Sequence, residues 1–194
     1  MAKRGRSEQY VLEEAQVQAL LKEAQTIEDR LILELMCYLG MRVSEIAHLR
    51  ADWVKEGEIR IPLRQPCNCS NCRGEWRAKS KAGARNIPIP VTMADLHTFL
   101  QQSPDGFHLT RQALWAKIKK LAKQAKIKVK GLSGDTIFCH ALRATAATRL
   151  AESGIPVSAL AYIMGWANIE IASAYVNIAS AKKSAGEALK RLYG

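Results

Sequence analysis

The sequence has no run of 18 or more apolar residues, so it offers no segment suited to a membrane-spanning helix. No apolar signal core follows its basic opening, Met1 to Ser7, which argues against export. No internal repeat and no low-complexity tract interrupts the 194 residues. Acids are scarce: 18 Asp and Glu stand against 29 Lys and Arg, a net charge of +11. A surplus of this size favours a polyanionic partner, because each neutralised phosphate releases condensed counterions. No long basic amphipathic anchor stands out, so nucleic acid fits better than an anionic membrane. The five cysteines, Cys37, Cys67, Cys69, Cys72 and Cys139, are an odd number without a secretion signal, which argues against a disulfide framework. The expected setting is cytoplasmic, on the nucleoid.

What is present is an ordinary globular balance, 48% hydrophobic and 24% charged, on a chain long enough to bury a real core. Apolar spacing predicts helices over 11–24 and 27–39, with Gly40 as a stop and a third short helix starting near Ser44. Residues 57–63 and 85–91 alternate with period two and read as edge-type strands, because Pro62, Pro88 and Pro90 cannot donate to an inner ladder. A long polar loop, 64–84, lies between them. Helices are expected again over 110–127, 141–153 and 156–164, with two closing helices over 168–178 and 181–192. The fold class is mainly α with a small antiparallel β-sheet or hairpin.

Several residues have chemistry to offer. Segment 110–130 carries Arg111, Lys117, Lys119, Lys120, Lys123, Lys126, Lys128 and Lys130 and no acid of its own. Opposite an apolar stripe, it suits a phosphate backbone, which positions DNA without reading sequence. His140 and Arg143, three apart, share a helical face and could manage a proton and a phosphate oxygen together. Alone, that pair, Arg42 and Tyr175 would each pass for structural residues. Cys67, Cys69 and Cys72 fall within six residues and could supply three thiolates to a structural zinc, the fourth ligand being Cys139 or a distant His. Three reduced thiols in a loop, or a disulfide within it, are the alternatives.

Taken together the motifs are far more specific. Gly40-Met-Arg42-Val-Ser-Glu45-Ile-Ala-His-Leu49 resembles the first signature box of the tyrosine recombinase (phage integrase) family. His140-Ala-Leu-Arg143 resembles the second. Met164-Gly165-Trp166-Ala-Asn-Ile169 with Ala174-Tyr175 resembles the third, with Trp166 and Tyr175 nine apart. Ala78-Lys79-Ser-Lys81-Ala-Gly83-Ala-Arg85-Asn-Ile-Pro88 is similar to the family's strand-turn-strand. The resemblance implies the DNA breaking-rejoining catalytic fold and site-specific recombination (integration or excision) through a 3′-phosphotyrosine on Tyr175. Arg42 and Arg143 would clamp the scissile phosphate, His140 would relay the phenol proton, Lys79 would protonate the leaving oxygen, Trp166 would bind or support, and Glu45 would orient Arg42 or serve its helix dipole. Lys81, two residues on, is the alternative general acid. No metal or ATP is required. The partner would be double-stranded DNA, with a homotetramer on it and a monomer alone.

Two departures matter. The cysteine-rich hairpin loop, 64–77, is longer than the family's hairpin and suggests an archaeal or archaeal-virus source. The expected domains are a basic tail, 1–10, and a catalytic domain, 11–194, without the N-terminal core-binding domain of two-domain members. A truncated, regulatory DNA binder and a type IB topoisomerase-like activity are the competing functions.

Overall fold

The computed structural model describes residues 11–127 and 139–193. Helix α2 (Ile27–Cys37) is its central rod. The Thr26 hydroxyl caps it by accepting the Asp29 amide at 3.0 Å, and Glu28 and Asp29 oppose the positive end of the helix dipole. Leu31, Ile32, Leu33, Leu35, Met36 and Cys37 are all buried, so the helix is apolar nearly all round and lies inside the core. Helix α6 (Cys139–Glu152) packs on it, with Ala141 and Leu142 in the same core as the α2 side chains.

Around this pair stand α1 (Glu14–Lys22), α3 (Val43–Ile46), α4 (Asp95–Gln102), α5 (Arg111–Gln124), α7 (Val157–Met164) and α8 (Ile169–Tyr193). Helix α5 starts at Thr110, which caps the Ala113 amide at 3.1 Å, and buries the expected stripe of Leu114, Ile118 and Leu121. Helix α4 is absent from the sequence reading, although Leu96 and Leu100 fall one turn apart and are both buried. The expectation of two closing helices is corrected: α8 runs unbroken for 25 residues. Ala179 and Ser180 carry no helix-stopping chemistry, and Gly186 inside the helix costs only about 1 kcal/mol.

The two expected strands pair antiparallel. β2 (Glu58–Ile61) lies between β1 (Val54–Lys55) and β5 (Arg85–Pro88), with Ile59 opposite Ile87 and Ile61 opposite Arg85. β5 is an edge strand, which accommodates Pro88. The intervening segment is not simply loop. It folds as a second sheet, β3 (Arg64–Cys67) with β4 (Gly74–Arg77), pairing Gln65 with Trp76. Trp76 is buried against Trp53, with ring centres 5.2 Å apart, and this packing draws an otherwise polar segment onto the body. Among the described residues no helix is long and apolar enough to cross a membrane.

Candidate active site

The C-terminal end of α7 gathers three arginines from distant parts of the chain. The last carbonyls of a helix have no partner within it and carry its negative dipole end. Arg85 Nε donates to the Ile163 carbonyl at 2.6 Å, an Arg143 Nη2 hydrogen goes to the Met164 carbonyl, and Arg42 Nη2 donates to the Gly165 carbonyl at 2.6 Å. Arg143 Nη1 also donates to the Gly40 carbonyl. Each Nη carries two hydrogens, so these bonds orient the guanidiniums and still leave donors for an anion.

Two glycines permit the convergence. Gly165 ends α7 at φ +60°, and a Cβ there would lie 3.0 Å from Arg42 Nη1 and 2.9 Å from Arg85 Nη1. Gly40, at φ +61°, turns the chain beyond α2, and a Cβ there would press to 2.6 Å from the Met164 sulfur. Only glycine takes this backbone without a steric penalty.

Glu45 ties the arginines together. It occupies the third position of α3, and its carboxylate accepts the Arg42 backbone N–H at 2.7 Å and Arg42 Nη1 at 2.8 Å. Both Arg85 Nη groups reach the same carboxylate, at 2.9 and 3.1 Å. Glu45 thus sits in the first turn of α3 and bonds Arg42. Burial pushes its carboxyl up, but the Arg85 hydrogen bonds and the charges of Arg85, Arg42 and Arg143 outweigh this and hold it below the usual glutamate range. Burial, and then the charge of Arg42, push Arg143 down. Three guanidiniums against one carboxylate leave a positive surplus, which an incoming anion would relieve.

This cluster opens onto a cleft of about 1430 Å³. Arg42, Lys79, His140, Arg143 and Trp166 all line it, as does Arg111 at the start of α5. His140 is exposed on the first turn of α6, three residues before Arg143. Trp166 lies beneath the Arg143 guanidinium, 5.7 Å from it, and stacks on Tyr175 with ring centres 5.4 Å apart. Tyr175 is buried on α8 in a small core with Leu160, Met164 and Ala172. The structure thus brings the predicted site residues into one neighbourhood, with the phenol packed beside it. Lys81 is exposed and does not line the cleft.

Two residues of this neighbourhood were missed in the sequence. Arg85 belongs to the strand motif and looked like a strand residue, yet its side chain is fully buried against Glu45. His48 lies in the first box, and its Nε2 faces the cysteine loop. With Cys67, Cys69 and Cys72 it forms a group able to hold a metal, all four ligand atoms within 4.8 Å of one another. The group thus pairs the three loop cysteines with a His, and Cys139 is not part of it.

The basic segment divides. Lys120, Lys123 and Lys126 are exposed, and Lys119 lies over the Trp115 ring at 4.1 Å. Lys117 departs from the expectation of an uncompensated face, because Asp29 at 2.6 Å and Glu28 at 3.5 Å reach it from α2. Lys128 and Lys130 lie outside the described residues.

This fold, helices enclosing an arginine-lined cleft beside a small sheet, is that of tyrosine recombinase catalytic domains. The catalytic domain of bacteriophage HP1 integrase superposes with a TM-score of 0.60 at 19% identity, over 86% of each chain. The Tn1549 transposon integrase, in complex with transposon right end DNA, gives a TM-score of 0.66 at 21% identity, over 96% of this chain and 67% of that one. Residues 10–182 match the model of the phage integrase family, and the chain belongs to it. Tyrosine recombinase XerD of Xanthomonas axonopodis pv. citri is 29% identical over 190 residues, covering 90% of this chain and 60% of the relative. The chain thus spans about 60% of that relative's length. XerD of Vibrio cholerae, also 29% identical, is likewise bacterial, and the expected archaeal or viral type finds no support in these relatives.

Proposed function

We propose that this chain cuts and rejoins double-stranded DNA in site-specific recombination, with Tyr175 as nucleophile. One observation carries the reading: Arg42 and Arg143, from separate sequence boxes, are bonded to adjacent carbonyls at the end of α7, immediately before the Trp166–Tyr175 stack.

In this scheme the two guanidiniums take the non-bridging oxygens of one phosphodiester, a planar two-pronged task that Lys does poorly. The Tyr175 oxygen attacks phosphorus and its proton passes to His140. The bond from phosphorus to the 5′-oxygen breaks, and that oxygen takes a proton from Lys79. A 3′-phosphotyrosine and a free 5′-hydroxyl result, and religation is the same exchange reversed. The ester conserves the bond energy, so no ATP is needed. Arginine charge serves where other nucleases use metal ions. The indole N–H of Trp166 donates to the phosphate. Exposed lysines of α5 contact the flanking backbone. Four copies act together on DNA, and the chain alone is monomeric. A structural zinc at the cysteine cluster would stand outside the reaction, as a clamp on the hairpin that leads to Lys79.

A nicked suicide substrate tests the reading, since loss of the short strand beyond the cut traps the covalent intermediate. The expected product is a protein–DNA adduct stable to denaturant and absent in Tyr175→Phe. Binding to DNA without any adduct at high protein concentration would leave a non-catalytic binder instead.

A further inference from the structure

The cysteine cluster lines the same cleft as Arg42, Lys79, His140 and Arg143. His48 follows α3, the helix that begins beyond Arg42. Cys67 ends β3, Cys69 and Cys72 lie in the turn, and β4 runs from Gly74 to Arg77, two residues before Lys79. We propose that His48, Cys67, Cys69 and Cys72 form a closed three-thiolate, one-imidazole site for a structural zinc ion, which clamps the β3–β4 hairpin to the end of α3.

The spacing fits. Zinc bonds of about 2.3 Å to sulfur and about 2.0–2.1 Å to nitrogen, at tetrahedral angles, put S and N about 3.6 Å apart and two sulfurs about 3.8 Å apart. His48 Nε2 lies 3.6 Å from Cys69 Sγ and 3.2 Å from Cys72 Sγ. All four ligand atoms sit within 4.8 Å of one another, so sub-ångström adjustments complete the tetrahedron.

The surroundings of His48 are those of a metal ligand. Its Nδ1 lies 2.7 Å from the Ser44 carbonyl. A carbonyl only accepts, so Nδ1 carries a hydrogen, and in the neutral ring the lone pair is on Nε2, facing the thiols. Metal-bound imidazoles are commonly oriented by such a bond at the other nitrogen. The ring is also stacked on Trp76, with centres 5.6 Å apart. Gln65 then links the layers: it accepts from Trp53 Nε1 at 2.7 Å and donates to the His48 carbonyl at 3.1 Å. The Cys69 amide donates to Cys67 Sγ at 3.5 Å, which fixes the turn that carries the ligands.

The donor set selects the ion. Three soft thiolates and one imidazole in a tetrahedron suit zinc, and four protein ligands leave no open position, so the role is structural. On binding, the three thiol protons leave to solvent and the filled site carries one negative charge. The hairpin has use for such a clamp. Its strands are four residues each, and a two-stranded hairpin alone is marginal in water.

The site itself rests on geometry; its service to Lys79 rests on the recombinase reading above. Elemental analysis of the full chain, freed of any metal-binding tag, should give about one zinc per chain. Cys72→Ser and His48→Ala should each lower zinc affinity about tenfold or more, and cobalt in place of zinc should show the visible bands of tetrahedral thiolate coordination, altered in His48→Ala. Zinc near zero, with the three loop thiols freely reactive or two of them joined in a disulfide, would overturn the proposal. Zinc bound at full stoichiometry without any Tyr175 adduct would sink the recombinase reading and leave the site standing. Wild-type protein isolated with zinc near zero and still forming the adduct would do the reverse.

Discussion

The carboxylate of Glu45 is sealed against the guanidinium of Arg85, with two N–H donors at 2.9 and 3.1 Å and almost no solvent on either side chain. The pair joins the first signature box to the last strand of the sheet, and Arg42 is attached to it from the cleft side. The position of Arg42 at the cleft therefore depends on a buried charge that does not itself line the cleft.

Breaking that pair should be costly. Glu45→Gln keeps the shape but leaves Arg85 a buried, uncompensated cation, and an expected loss of about 3–5 kcal/mol should show in urea unfolding. The pH dependence has a definite sign. The carboxyl is held below its ordinary value, so its contribution is fully present above the unfolded-state pKa of about 4.3 and drains away as pH falls through the lower folded value. The wild-type melting temperature should drop below about pH 4, and the Glu45→Gln curve should be flatter there.

Gly165 and Gly154 provide a controlled comparison. Both have positive φ, +60° and +85°, but a Cβ at Gly154 meets nothing within 4 Å whereas one at Gly165 meets Arg42 and Arg85. Each alanine variant should lose about 1–2 kcal/mol for its backbone. Only Gly165→Ala should also slow adduct formation, by about tenfold or more, because a misplacement of about 1 Å at the clamp is expensive.

Lys79 lines the cleft and Lys81 does not, so the two can be separated by the leaving group. Lys79→Ala should slow cleavage by about 10²–10⁴-fold, the usual worth of a general acid. Replacing the bridging 5′-oxygen with sulfur should restore most of the rate, since a thiolate leaves without a proton. Lys81→Ala should stay near wild type on both substrates. The opposite pattern would transfer the role to Lys81.

Lys117 should behave unlike its neighbours. With Asp29 and Glu28 against it, Lys117→Ala should destabilise the fold and barely change the salt dependence of DNA binding. Lys120→Ala and Lys123→Ala should leave stability unchanged, and each should reduce the slope of log affinity against log salt by about 1.

Much of the site was legible before any fold was known. His140 and Arg143 share a face because a helix repeats every 3.6 residues, and Trp166 and Tyr175 keep a fixed spacing across the start of α8. Box order and residue type were enough to single out Arg42, Lys79 and Tyr175, which the fold brings to one neighbourhood. The hairpin in the cysteine loop was not legible, because its strands are short, contain Pro66 and are held by Trp76 reaching Trp53. The break expected near residue 180 was a local inference that nothing in Ala179 or Ser180 enforced.

The amino-acid order by itself determined the family, the mainly helical class and the candidate site residues, since these follow from local periodicity and the boxes of distinctive side chains. Tertiary structure alone decided that Arg85 is an interior cation, that Lys117 is neutralised and that His48 joins three cysteines. In each case the deciding partner is remote in sequence, and the energy of a charge or a lone pair depends on what surrounds it in space.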